Sequence, residues 1–173
     1  MGSPLPRDPI GEARHNWERH GWGDVAAPMA AITAIMRTQQ ILLARIEAVL
    51  KPFGLTFARY ELLALLSFAR SGALPMNKAS ALLQVHPTSV TNAVDRLEQA
   101  GLVARSPHPT DGRTTLIELT TEGRTLARTS TAALNTEVFG KSGFTDDDVE
   151  HLLRVLGDFR KASGDFTDSP PAP

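Results

Sequence analysis

A mainly α-helical domain carrying one small β-hairpin is the fold class this sequence predicts, and two observations predict it. Apolar residues recur at alternating spacings of three and four through most of the chain, the pattern of helices with one buried face. One stretch departs from that pattern: two short extended runs flank the turn cluster SPHPTDGR at 106–113.

The first helix starts at Pro28, a residue suited to a helix's first turn. It runs through Met29, Ile32, Met36, Leu43, Ile46 and Leu50 over about 25 residues and stops at Pro52–Gly54. Gln39 takes the one polar place in that stripe, either as an interface residue or as a shallow surface position. A second helix follows Thr56, a suitable N-cap, carries Leu62, Leu63, Leu65 and Leu66, and ends at Ser71–Gly72. A short third, MNKASALLQV, places Ala79, Leu82 and Leu83 on one face. The fourth, HPTSVTNAVDRLEQAG, has Pro87 at its first position, Val90, Val94 and Leu97 inward, and Gly101 past its end. Extended runs at 102–105 and 114–119 follow, the second alternating so that Leu116 and Ile117 take opposite faces.

A fifth helix starts after Thr120. A sixth starts at Thr145, where Asp148 stands three residues on in a capping-box arrangement, and Asp146, Asp147 and Asp148 complement the helix dipole. Val149, Leu152, Leu153, Leu156 and Phe159 form its apolar face. Pro4, Pro6, Pro9, Pro170, Pro171 and Pro173 mark both tips as unpacked, with a disordered tail over 164–173.

At 173 residues, with 42% hydrophobic and 21% charged, the chain is an ordinary globular domain rather than a disordered, collagenous or rod-like one. No run approaches the roughly 18 apolar residues of a membrane span, and the N-terminal stretch has no apolar core for a signal peptide, so a cytoplasmic, nucleoid-associated protein is expected. The absence of cysteine excludes disulfides, thiolate metal sites and cysteine nucleophiles. No Gly-rich phosphate loop, G-x-S-x-G or H-E-x-x-H occurs, and His15 and His20 are five apart without clustered carboxylates; no enzyme activity, cofactor or metal is expected. The net charge of −1 is unevenly spread, +1 over 1–55, +2 over 56–136 and −4 over 137–173. That mid-chain excess is too small to argue for a nucleic-acid partner by itself.

The order of elements argues more strongly. Helix, helix, short turn, helix and hairpin is the pattern of a winged helix-turn-helix, whose second helix presents its N-terminal residues to the DNA major groove. The candidates there are His86, Thr88, Ser89, Thr91 and Asn92, short or flat side chains that donate or accept hydrogen bonds. The hairpin loop carries His108, Asp111 and Arg113, and a projecting arginine suits the narrow, negative minor groove. Lys78, Arg96 and Arg105 are placed for phosphates at the flanks.

The run SVTNAVDRLEQAGLVARSPHPTDGRTTLIELTTEG resembles the central block of the MarR family, and the resemblance extends over about residues 28–160. It implies a homodimeric winged-helix regulator binding a palindromic operator in double-stranded DNA, commonly a repressor released by a small ligand. It implies a DNA-binding lobe over 56–120, dimerisation helices over 28–55 and 121–163, and an extension over 1–27. Arg113 would then enter the minor groove, with Asp111 holding it. The stretch DPIGEARHNWERHGW is also similar to an extension in the urate-responsive branch, which implies an effector site at Trp17 or Trp22, Glu61 and Arg105. The fourth place of that site departs: Ala93 stands where the branch has arginine, removing a charge-assisted contact worth about 1.5–3 kcal/mol. The effector class stays at anionic or aromatic.

Other readings stand beside these. The polar residues of the fourth helix could be a solvated face, His86 a weak N-cap, and the two tryptophans packing anchors. The domain as a whole could be a protein–protein module, or a small-molecule binder with vestigial DNA residues.

Overall fold

The computed structural model describes residues 5–84, 86–108 and 114–167, and the chain divides into two units, Met1–Val138 and Phe139–Pro173.

The first unit opens with a helix that the sequence pattern does not announce, α1 (Pro9–Arg19). Asp8 caps it, accepting from the N–H groups of Ile10 at 3.0 Å and Gly11 at 3.1 Å, and Pro9 occupies the first helical position, where a missing N–H costs nothing. Pro9 therefore starts a helix instead of marking an unpacked tip. The end of α1 is closed by Gly21 N–H donating to Glu18 O and Trp22 N–H to Trp17 O. This reverse turn brings the Trp17 and Trp22 rings to 5.3 Å, edge to face, the apolar contact that accompanies such helix ends.

Helix α2 (Gly23–Leu50) begins five residues before Pro28, so that proline lies inside it, not at its start. The ring deprives only the first-turn carbonyl of Asp24 of a partner, on an exposed face where water replaces it. The apolar stripe of α2 also divides. Ile46 and Leu50 are buried, whereas Ile32 is 64% and Met36 60% exposed. Gln39 is exposed as well.

Helix α3 (Phe57–Phe68), strand β1 (Ala73–Pro75), helices α4 (Met76–Leu83) and α5 (Pro87–Gln99), strands β2 (Val103–Pro107) and β3 (Thr115–Leu119) and helix α6 (Thr121–Glu137) complete this unit. Leu62, Leu63 and Leu66 of α3, Val90, Val94 and Leu97 of α5, Ile117 of β3 and Leu134 of α6 are all removed from solvent. Each such aliphatic side chain contributes about 1.5–3 kcal/mol of transfer free energy. On α4 the inner face differs from expectation: Leu82 is exposed, and Met76, Ala79, Ser80 and Leu83 turn inward at the i, i+3, i+4, i+7 spacing of one helical face.

The sheet is antiparallel in the order β1-β3-β2, pairing Leu74 with Ile117 and Arg105 with Ile117 across its two ladders. Strand β1 was not foreseen. It is an edge strand of three residues, which is where its Pro75 can be accommodated.

The second unit contains α7 (Asp146–Ala162). Its capping box is complete: Thr145 Oγ1 accepts from Asp148 N–H at 3.2 Å, and Asp148 Oδ2 accepts from Thr145 N–H at 3.0 Å. Thr145 Oγ1 also donates to Asp148 Oδ2 at 2.7 Å, and this bond first, with that from Thr145 N–H second, holds the Asp148 carboxyl below its ordinary value. Past the helix, Arg160 holds Asp165 at 2.6 Å and lies 5.3 Å from the Phe166 ring centre, so 164–167 of the expected tail fold back on α7; 168–173 lie outside the described residues. Val149, Leu152, Leu153, Leu156 and Phe159 are all exposed, Leu153 at 71%. Among the described residues no helix is long and apolar enough to cross a membrane, and no three metal-ligating side chains cluster.

Candidate nucleic-acid interface

Helix α4 ends at Gln84, which adopts a left-handed conformation (φ +53°), and α5 begins three residues later. His86 caps α5 through its side chain: Nδ1 accepts from Thr88 N–H at 3.2 Å. With Nδ1 accepting, a neutral ring carries its proton on Nε2, an N–H donor at the exposed start of the helix, where Ser89 N–H already donates to His86 O at 2.8 Å. Thr88, Ser89, Thr91 and Asn92 are exposed on the first two turns, while Val90 and Val94 anchor the opposite side. Asn92, Asp95, Arg96 and Gln99 line a shallow depression that continues this face. Gln99 was not anticipated.

The C-terminal end of α5 is fixed in a Schellman arrangement. Leu102 N–H donates to Leu97 O and Gly101 N–H to Glu98 O, both at 2.9 Å, with Gly101 at φ +70° where a side chain would be strained. The chain thereby turns directly from α5 into β2. Thr120 ties the far end of the hairpin to the same corner, donating from Oγ1 to Gly101 O at 2.8 Å and from its N–H to Leu102 O at 3.2 Å. At the hairpin's outer end, His108 N–H donates to Thr114 O at 3.0 Å. Asp111 and Arg113 lie outside the described residues.

Lys78 and Arg96 are exposed on α4 and α5. Arg105 is not deployed like them. Its guanidinium reaches back from β2 to α5, to Asp95 Oδ1 at 2.5 Å and to Glu98 Oε2, and its own N–H donates to Glu98 Oε1 at 3.2 Å. Burial alone lowers the pKa of the group, but the hydrogen bonds and charges of Asp95 and Glu98 outweigh it and raise the value above that of free arginine. Sequence reasoning missed these two carboxylates. Their signal was present: acids three apart on one helix, followed by an arginine early in the next strand.

Of the residues suggested for an effector, Trp17 and Trp22 pack edge to face on each other, and Arg105 is engaged by Asp95 and Glu98. Glu61 is half-buried on α3, and burial pushes its carboxyl pKa up.

Two helices joined by a tight turn, with an antiparallel hairpin leaving the end of the second, define a winged helix-turn-helix, a class of DNA-binding domain. The chain belongs to the MarR family, whose model matches residues 53–114. It is similar to the HTH-type transcriptional regulator PecS of Dickeya dadantii, 30% identical over 139 residues that cover 78% of this chain and 82% of PecS. Its fold is similar to that of Sco5413, a MarR family transcriptional regulator from Streptomyces coelicolor, with a TM-score of 0.74 and 49% identity over 82% of this chain and 99% of that one. With the uncharacterized HTH-type regulator YhbI of Bacillus subtilis it shares 37% identity over 93 residues, 54% of this chain and only 57% of YhbI.

Proposed function

We propose that the chain works in the cytoplasm as a homodimeric, sequence-specific DNA-binding regulator, placing two copies of α5 in successive major grooves of a near-palindromic operator. The observation that carries this reading is the N-terminal part of α5, where His86, Thr88, Ser89, Thr91 and Asn92 are exposed together over the first two turns, at the positive end of the helix. Asparagine can bond adenine in two places, threonine can meet the thymine methyl, and the helix start attracts phosphate. Lys78 and Arg96 serve as flanking phosphate contacts, and Arg113 with Asp111 as the minor-groove element of the wing.

The exposed apolar faces of α2 and α7 support dimerisation, each being covered by the second copy. Half-sites then lie about one helical turn apart. A small anionic or aromatic effector fits a regulator of this kind. Glu61, half-buried and without a hydrogen-bond partner among the described residues, supports a place for one on α3. Such a ligand releases DNA only if it binds better to the state that cannot span two grooves.

Fluorescence anisotropy of the protein on duplex from its own upstream intergenic region, at two salt concentrations and against unrelated duplex, tests the reading. Tight binding that survives competitor and weakens steeply with salt is expected, because phosphate contacts release counterions. Absence of binding here and in a selection from random duplex would leave a protein–protein module as the better description.

A further inference from the structure

Among the described residues of the first unit, the Arg105 clamp is a charged cluster that joins two functional elements and stands apart from the side chains assigned to direct readout. Its guanidinium is 26% exposed and spans from β2 to Asp95 and Glu98, which sit three residues apart on α5, one turn beyond Asn92. The same residue's main-chain N–H is held by Glu98. Two carboxylates on one guanidinium, with a further main-chain bond, fix both the position and the rotation of β2 relative to α5. An isolated surface pair would not do this, since its two long side chains gain little by staying together. A free anion is also a poor ligand for Arg105 here, because it must displace both carboxylates.

We infer that Arg105 is a positioning residue for DNA recognition, locking the wing to the recognition helix so that both reach their grooves in register; this rests on the DNA-binding reading above. Arg105 then contributes to operator affinity without touching DNA. Lysine cannot replace it, since a single ammonium cannot span both carboxylates in a fixed plane.

The test uses the full chain and a duplex obtained by binding-site selection with the unmodified protein. Amide hydrogen exchange and duplex binding are compared for wild type, Arg105→Gln, Arg105→Lys and the double variant Asp95→Asn/Glu98→Gln. In all three variants, exchange in Val103–Ser106 is expected to rise about tenfold while the amides of α3 keep their protection; a tenfold change corresponds to roughly 1.4 kcal/mol. Duplex affinity is expected to fall by a similar factor with the salt dependence unchanged. Adding Arg105→Gln to the double variant is expected to cause no further loss.

Unchanged exchange in β2 would overturn the clamp, and equal loss of protection in α3 would reduce it to a general stability role. A shallower salt dependence in Arg105→Gln would assign Arg105 to a phosphate contact, and full rescue by lysine would do so too. If β2 loosens as expected but wild type selects no duplex, the clamp stands and the DNA-binding reading falls.

Discussion

Gly123 lies directly against the backbone of Leu102: a Cβ on Gly123 would stand 1.9 Å from the Leu102 carbonyl oxygen. This contact seats the first turn of α6 on the corner where α5 becomes β2. Thr120 completes it by capping α6, accepting from Gly123 N–H at 3.0 Å while donating to Gly101 O. Gly123→Ala must therefore push helix and hairpin apart. Alanine's better helix propensity offsets about 1 kcal/mol. Overpacking of about 1–3 kcal/mol or more prevails, because the obstacle is a carbonyl and not a movable side chain. Urea denaturation should show a net loss of stability, and a variant as stable as wild type would contradict the close approach.

A single substitution separates the capping bond of His86 from the DNA contact proposed for it. Aspartate is a better N-cap than histidine and favours the positive end of α5, so His86→Asp should stabilise the domain by about 0.5–1 kcal/mol. The same carboxylate would face DNA phosphate in place of the Nε2–H donor, and affinity for duplex should fall, most at low salt. Stability by denaturation and affinity by anisotropy should thus move in opposite directions. If both rise, His86 faces away from DNA.

The direct readout assigned to α5 makes a narrower claim. Asn92→Ala or Thr88→Ala, both exposed, should leave stability within about 0.5 kcal/mol. Each should relax base preference by about 1–3 kcal/mol at one position of each half-site. Binding-site selection reads this directly. A logo identical to wild type for both variants would remove these side chains from base recognition.

These side chains were legible in the sequence because α5 announces itself at every level. Pro87 sits at its first position, Val90, Val94 and Leu97 point one way, and Gly101 follows its end, so the polar residues between them can only face outward. α1 carried a weaker signal. Asp8 and Pro9 form a good start, but α1 buries no residue fully, and its half-buried Ile10, Ala13 and Trp17 are too sparse a stripe to stand out. Strand β1 was beyond reach for a different reason: Ala73–Pro75 is extended because β3 pairs with it, a contact between residues more than 40 apart in sequence. Leu82 misled because a leucine pair invites burial of both, whereas helical geometry allows only Leu83 to follow Met76 and Ala79 inward. The Arg105 clamp required knowing how sharply the chain turns at Gly101.

The raised pKa of Glu61 has a consequence for stability. An acid whose folded-state value lies above its unfolded value near 4.5 holds its proton more tightly in the native state. Stability then falls as pH rises from the unfolded value through the folded one, and the burial cost of the charged carboxylate is fully present at neutral pH. Glu61→Gln removes that ionisation while keeping the shape. The variant should melt higher than wild type at pH 7, and the difference should disappear below pH 4.5, where the wild-type carboxyl is protonated too. A constant difference across that range would show that Glu61 contributes through packing and not through its charge.

Ile32 and Leu153 test the two exposed apolar faces. A monomer would leave Ile32 at 64% and Leu153 at 71% exposed, together with Met36 and Phe159 on the same two helices, a large apolar area for a soluble chain to hold in water. Neither side chain is part of the core built on Leu62, Leu63 and Leu97. A charge at either position should therefore spare the fold of the winged lobe and act only on association. Ile32→Asp and Leu153→Asp should each convert a dimer to monomer in sedimentation at micromolar concentration, with the helical circular dichroism signal preserved. Duplex affinity should fall sharply in both, because each lobe then binds its half-site alone and the gain from linking two sites is lost. Two variants that remain dimeric with full affinity would place the subunit contact elsewhere on the molecule.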